Sequence, residues 1–485
     1  MPTVTEERKI ALLARQYRHE NPHLGPGKMF RLLRAGESAS SPGAKGALHL
    51  DDSSTIAGIE YFPESAYFQD RARWRAGDGD VLVTSTPVNP EFEAYFQKRL
   101  GLGRPRWLRV QGAQTLRLAE ACWVSRETRE RLVSLLEKGR FRAFHPYMGS
   151  FHAWALAALL ARAAHRPLDV IAPSPQLARR VNDKNWFSLL VRRLLGTRAT
   201  PRSFKVFSDR TLVSVVRHGL GGCKALVVKV PNSAGGKDNL VFDGAELGQG
   251  SERQLREYLR RRLEPLHWDG SSPLQVSCWE DKVLGSPSVQ LWIPPLESGL
   301  PVQVDGLFEQ VLLAGRGEFL GSMPARLAPG LRRRLVRPSV LLARLLQQLG
   351  YVGRCSFDLL LTGDAMASSR IEFIECNGRW GGTSGPMHLV DRLFGRDGRP
   401  VYATHHYVAP ELAGMRFAEI ARAFEPELYD AASGTGWLIL LTASGLPIGH
   451  LDFLALGKSS DEAKERAYRI VPRRLHSLAD DREAA

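Results

Sequence analysis

Ile371-Glu372-Phe373-Ile374-Glu375-Cys376-Asn377-Gly378-Arg379 places charge inside an apolar run. A β-strand turns successive side chains to opposite faces. Phe373, Glu375 and Asn377 are therefore expected on one face, with Glu372, Ile374, Cys376 and Gly378 on the other. A carboxylate and an amide oxygen on one face are hard donors, of the kind Mg²⁺ takes when it also holds phosphate oxygens. The two Cα atoms stand about 6.6 Å apart, so the side chains must converge or bridge two ions. Taken alone, the segment also reads as an edge strand with a salt-bridged glutamate and an Asn-Gly turn.

Upstream, Asp358 lies in the apolar strand pattern Cys355-Ser356-Phe357-Asp358-Leu359-Leu360-Leu361. If the two strands pair through the polar turn Thr362 to Ser369, Asp358 comes alongside Glu375 as a third oxygen ligand. Three such ligands on neighbouring strands suit two magnesium ions held against a triphosphate. Lys229 ends another apolar run, Ala225-Leu226-Val227-Val228-Lys229, where its ammonium needs a partner, and a phosphate would serve. The loop that follows, Ser233-Ala234-Gly235-Gly236-Lys237, has side chains small enough for backbone N–H groups to approach phosphate oxygens. Pro231 and Asp238 rule out a Walker A loop, and neither Gly-x-Gly pair, at Gly219 or at Gly315, completes a dinucleotide fingerprint. Lys184 sits beside a predicted helix start at Trp186, a position that favours anions. Cys278-Trp279-Glu280-Asp281-Lys282-Val283 joins two strands and fits a hinge that presents Glu280 and adjacent backbone to an adenine edge.

Composition bounds the class. A chain of 485 residues with 44% hydrophobic and 24% charged content has room for two to four lobes and the balance of a soluble globular protein. The longest apolar stretch, Phe151 to Ala164, contains His152 and Arg162 and falls short of the ~20 residues of a bilayer span. The N-terminus lacks the apolar core of a secretory signal, so a cytoplasmic location is expected. Five scattered cysteines without a C-x-x-C pair read as buried thiols, not as a zinc site or a disulfide framework. The net charge of +15 suggests an anionic partner. The arginines are dispersed without aromatic interleaving, which argues against nucleic acid.

Along the chain, residues 1–79 carry no readable role. An α/β lobe is expected over 80–181, opening with the strand Val81 to Thr84. Residues 182–400 are expected to form an antiparallel α+β region with strands at Thr211 to Arg217, Ala225 to Val230 and 354–361. Leu274 to Trp279 and Ser288 to Trp292 are expected to pair. Residues 401–485 form a C-terminal subdomain in which Gly436 to Leu441 and Ile448 to Leu456 make a hairpin. There Ser459-x-x-Glu462 opens a last helix.

These pieces occur in one order: Asp183-Lys184, Lys229 with its Gly-Gly loop, Glu280, Asp358, then Glu375-x-Asn377-x-Arg379-x-Gly381-Gly382. The order resembles the ATP-grasp superfamily of carboxylate–amine ligases. The run Asn377 to Ser384 looks most like the pheganomycin-type peptide ligases. The resemblance implies a mixed α/β and α+β ATP-grasp fold, with a pre-ATP-grasp lobe before it and a C-terminal subdomain after it. It implies ATP and Mg²⁺ as cofactors, and small-molecule or peptide carboxylates and amines as partners. Under it Lys184, Lys229, Ser233, Gly235, Gly236 and Lys237 bind or cover the phosphates, and Glu280 meets the adenine with the backbone at Lys282 and Val283 beside it. Asp358, Glu375 and Asn377 hold magnesium, while Arg379 stabilises the transferring phosphoryl group together with Lys229. The expected activity is amide or peptide bond formation through an acyl phosphate. An ATP-grasp kinase acting on a hydroxyl and a non-catalytic nucleotide- or nucleic-acid-binding protein are the alternatives.

Overall fold

The computed structural model describes residues 2–24, 33–34, 46–112, 114–219, 223–233, 239–247, 251–264, 268, 273–315 and 317–483. Four sheets organise it. The first is wholly parallel, in the order Leu33–Arg34, Leu168–Val170, Ala143–Pro146, Ala47–Leu50, Val81–Thr84 and Arg106–Arg109. Its strands Ala47–Leu50, Val81–Thr84 and Ala143–Pro146 are buried because helices such as Phe151–Ala163 cover them, with Leu48, Val83, Phe144 and Trp154 in one core. Ala47–Leu50 lies in the middle of this sheet, so the lobe begins well before residue 80, where the sequence placed its start. Three apolar residues around His49 are too short a signal to mark a central strand.

The second sheet is antiparallel, in the order Ser203–Val206, Leu274–Trp279, Ala225–Lys229 and Asn239–Asp243. Helices Asp209–Ser214 and Glu252–Leu263 cover it through Leu212, Leu255 and Leu259. The expected strand at Thr211 to Arg217 is thus a helix. Ser208 caps it by accepting from the Thr211 N–H at 3.2 Å, and packing of Leu212 and Val213 outweighs the β-branched composition. Cys223 and Cys278 are joined as a disulfide across this sheet, with Cα atoms 5.7 Å apart. That corrects the reading of all five cysteines as thiols, since 55 residues of separation hide the pairing.

The third sheet is the central one. Its order is Val283–Gly285, Gly353–Thr362, Pro287–Ile293, Gln303–Leu312 and Phe319–Pro324, with Arg370–Asn377 also pairing Gly353–Thr362. Pro287–Ile293 therefore pairs with Gln303–Leu312 and Gly353–Thr362, and not with Leu274–Trp279, which stands in the second sheet. One face packs against helices Lys184–Leu195 and Pro329–Gln348, and the first helix, Val4–Glu20, packs on those two helices and adds Ile10, Leu13 and Tyr17 to the same core. The N-terminal segment, unassigned from sequence, is divided between this core and the parallel sheet.

The fourth sheet joins Val401–Val408, His450–Gly457 and Leu438–Leu440 in antiparallel register. Ser459 caps the following helix Ser460–Glu465 by accepting from the Glu462 N–H at 3.1 Å. Phe319–Pro324 packs on Val401–Val408 where Gly321 lets the two backbones meet: a Cβ at Gly321 would collide with the Thr404 carbonyl and the Tyr468 hydroxyl. Ser322 N–H donates to the Thr404 hydroxyl at 2.8 Å beside it. Among the described residues, no helix is long and apolar enough to cross a membrane. Gly321→Ala is expected to destabilise the protein by about 1–3 kcal/mol through overpacking of this junction. A chemical denaturation series reads the loss, which a similarly buried glycine without backbone contact would not show.

Candidate active site

The antiparallel pairing sets Asp358 directly opposite Glu375, Ser356 opposite Asn377 and Leu360 opposite Glu372. A β-bulge interrupts the ladder: Asp358 pairs Glu375 and Leu359 pairs Phe373, leaving Ile374 as the extra residue. The bulge breaks the two-residue period on which the sequence reading relied. Phe373 joins Cys376, Phe357 and Leu359 in the core, so it does not share a face with Glu375. Glu375 and Asn377 line the cleft with Asp358. Opposite Leu360, itself a cleft residue, Glu372 lies on the same face of the sheet as Asp358 instead of pointing away, but does not itself line the cavity. It is buried, and burial followed by the nearby Glu280 pushes its carboxyl up to about 7. Its partner is Arg370, whose Nε lies 3.0 Å from Glu372 Oε1.

Around the carboxylates the other elements supply cations. Lys184 opens the helix Lys184–Leu195, whose cap is Asp183, accepting from the Asn185 and Trp186 N–H groups. Its Nζ lies 3.1 Å from Glu375 Oε2 and donates to Ser233 Oγ at 3.2 Å. Lys229 ends its strand facing the same cavity. Burial lowers its ammonium to about 8, with Glu375 opposing and Lys184 adding to the shift. Arg379 is buried and donates to Asn182 Oδ1, which also accepts from the Gly378 N–H at 3.1 Å.

The two carboxylates differ sharply in charge balance. Burial would raise Glu375, but Lys184, then Arg379 and Lys229, hold it well below the ordinary carboxylate range. Asp358 is driven the other way, first by burial and then by Glu375. Ser288 donates to Asp358 Oδ1 at 2.6 Å. The Asn377 side-chain amide N–H₂ bridges the pair, donating to Asp358 Oδ2 at 2.8 Å and to Glu375 Oε1 at 3.3 Å. A donor group thus stands where both carboxylates converge. Two like charges held at one point, together with an amide that can turn its oxygen inward, fit a divalent cation with oxygen ligands.

Gly235, Gly236 and Lys237 lie outside the described residues; Ser233 is buried against Lys184. Elsewhere on the cleft wall Glu280 accepts from Arg370 at 3.1 Å, and Val283 lines the cleft as well. The Lys282 side chain does not face the cleft: its ammonium pairs with Asp364 at 2.6 Å, and its carbonyl accepts from the Gly363 N–H. Sequence reading missed Asn182, Ser288 and Gln310, neutral residues whose importance comes only from what they touch.

Lys184, Lys229, Ser233, Glu280, Asp358, Glu375, Asn377 and Arg379 line one cavity of about 990 Å³ that also reaches the C-terminal sheet at His406 and Asp452. The Pre ATP-grasp domain family matches residues 69–162. No curated protein sequence matches the chain. Among solved structures it is similar to the ADP complex of PurK, N5-carboxyaminoimidazole ribonucleotide synthetase. The TM-score is 0.51 with 12% identity, over 91% of this chain and 97% of that one. A biotin carboxylase complex from Campylobacter jejuni gives 0.51 and 11%, over 87% and 89%. The N5-carboxyaminoimidazole ribonucleotide synthetase from Thermus thermophilus gives 0.50 and 13%, over 89% and 98%. The likeness is one of fold: the chain has an ATP-grasp fold, with a pre-ATP-grasp lobe ahead of it and a C-terminal subdomain behind it.

The raised Asp358 has a consequence for stability. Its folded state favours the proton, so the ligand-free protein loses stability as pH rises through about 7. Asp358→Asn removes that loss. The variant should melt several degrees above the parent at pH 8, with the gap narrowing as pH falls below about 7 and closing near pH 4, in thermal scans without nucleotide or divalent ion.

Proposed function

We propose that the chain is an ATP-dependent ligase that joins a carboxylate to an amine through an acyl phosphate, with peptide-type substrates as in the pheganomycin-type ligases it resembles. The observation that carries this reading is the meeting of Lys184, Lys229 and Arg379 with Asp358, Glu375 and Asn377 in a single cavity. Such a set neutralises a triphosphate and the charge that moves during phosphoryl transfer. The similar structures include complexes with ADP and with an ATP analogue, and the same polarity of site fits ATP here.

In this mechanism Lys184 and Lys229 hold the phosphate oxygens, and Ser233 fixes the Lys184 ammonium. Asp358, Glu375 and Asn377 would hold Mg²⁺, which supplies neutralisation of the phosphate charge when bound. A substrate carboxylate oxygen attacks the γ-phosphorus, the bond to the β,γ-bridging oxygen breaks, and ADP leaves. Arg379, kept in place by Asn182, faces the charge that develops on the transferred group. The amine then attacks the acyl carbon, the C–O bond to phosphate breaks, and phosphate departs as the amine proton passes to solvent or a base. The chain's work is positioning and electrostatics, with no covalent nucleophile of its own. The rest of the cavity, walled by Phe68, Trp74 and Arg71, leaves room for a second substrate beside the nucleotide.

Pairs of amino acids and short peptides supplied with Mg·ATP should give ADP, free phosphate and an amide in equal amounts. Lys229→Ala and Glu375→Gln are expected to fold and to lose ADP formation by about 100-fold or more, the scale of a lost transition-state contact. Full turnover in either variant removes the assignment. A stable phosphate ester in place of an amide would make the protein a kinase on the same fold.

A further inference from the structure

Along the same cavity, His406, His450 and Asp452 come together from two adjacent strands of the fourth sheet. His406 and Asp452 are register partners, and His450 lies two positions from Asp452 on the same face. Three ligand-type atoms form a nearly equilateral triangle. His406 Nδ1 to Asp452 Oδ1 is 2.8 Å, His450 Nε2 to His406 Nδ1 is 2.8 Å, and His450 Nε2 to Asp452 Oδ1 is 3.0 Å. All three side chains border the cavity, two of them buried.

Protons alone do not satisfy this arrangement. Arg71 Nη2 stands 3.1 Å from His406 Nδ1 and can only donate. If Nδ1 accepts from Arg71 it carries no proton, and its lone pair faces the Asp452 oxygen at 2.8 Å. If Nδ1 carries the proton, it faces the guanidinium N–H. Either state leaves one close contact repulsive. A cation in front of the triangle uses all three lone pairs at once. The edges match those of three ligands on one face of an octahedral ion with bonds of about 2.1 Å. Arg71 meanwhile holds the outer oxygen, Nε to Asp452 Oδ2 at 2.8 Å, which is the support a ligating carboxylate normally has. Its contact to His406 Nδ1 is the one that must yield when the ion binds. The Phe68 ring packs edge-on against His450 with centroids 4.9 Å apart and fixes that ring from the side.

We propose that His406, His450 and Asp452 form a second metal site, for a first-row transition dication such as Zn²⁺, whose open coordination positions face the substrate cavity. Two imidazoles and one carboxylate favour such an ion over Mg²⁺, which takes oxygen donors. Three protein ligands with open positions suit an ion that also takes a donor atom from a substrate. The site is separate from the magnesium set at Asp358 and Glu375, and it stands whether or not the reaction proposed above is correct.

The test uses the full chain after chelator treatment, titrated calorimetrically with Zn²⁺ in the presence of millimolar Mg²⁺ and ADP. One equivalent is expected to bind, and substituting Co²⁺ should give the visible absorption of a protein-bound ion. His450→Ala and Asp452→Asn should each weaken Zn²⁺ binding by about 100-fold or more, beyond the effect usual for outer-shell partners. Glu375→Gln should leave Zn²⁺ binding unchanged while impairing Mg·ATP turnover. Thermal melts of the metal-free variants confirm that each is folded. His406→Ala repeats the measurement if either of the others is not. No stoichiometric Zn²⁺ binding by the parent, binding indifferent to these substitutions, or binding lost in Glu375→Gln would each overturn the site and leave a hydrogen-bonded His–His–Asp cluster.

Discussion

Two carboxylates face each other across one antiparallel register, and the rest of the site is organised around the charge they bring indoors. Asp358 is buried and Glu375 half-buried in the cleft, so their repulsion is strong and must be met by cations. Those cations come from separate elements. Lys184 arrives on the first turn of a helix, Lys229 from the end of a strand in the second sheet, and Arg379 from the segment beyond the Glu375 strand. Glu375 is satisfied by them, while Asp358 remains short of positive charge. That imbalance is a local cost to the stability of the ligand-free protein.

The bulge at Ile374 is the device that makes the pair possible. Without it, a regular strand carrying Glu375 into the cleft would also turn Phe373 into the cleft and withdraw it from the helices beneath. One extra residue lets Phe373 enter the core and Glu375 face Asp358, and it returns Glu372 to the face that carries Asp358, near Glu280. The core on the far face, with Phe187, Phe357 and Leu346, fixes the sheet and so fixes the separation of the charged groups. Asn182 performs a similar service for Arg379 by joining its guanidinium and the Gly378 backbone to the helix ahead of Lys184.

Much of this was legible beforehand because the signals are local. Alternation and apolar runs located the strands around Lys229, Asp358 and Glu375, and the polar turn between Thr362 and Ser369 indicated that the last two pair. Where the reading failed, a long-range contact outweighed the local pattern. Thr211 to Arg217 is β-branched, yet its leucine and valine find a helical packing site. Leu274 to Trp279 and Ser288 to Trp292 lie close in sequence, yet belong to different sheets. Cys223 and Cys278 carry no spacing signature, and the strand Ala47–Leu50 gains its central place only from neighbours far along the chain.

By itself, the sequence determined which residue types could carry the chemistry, because a charge within an apolar strand needs a partner and the order of such charges follows the chain. The tertiary structure alone decided which of them share a cavity and which way each points. Glu372 turned to the face of Asp358, Lys282 turned to Asp364, and two histidines and an aspartate of the last sheet met at hydrogen-bond distance. The reason is geometric: strand parity holds only until a bulge shifts it, and distances between elements are set by how their cores pack.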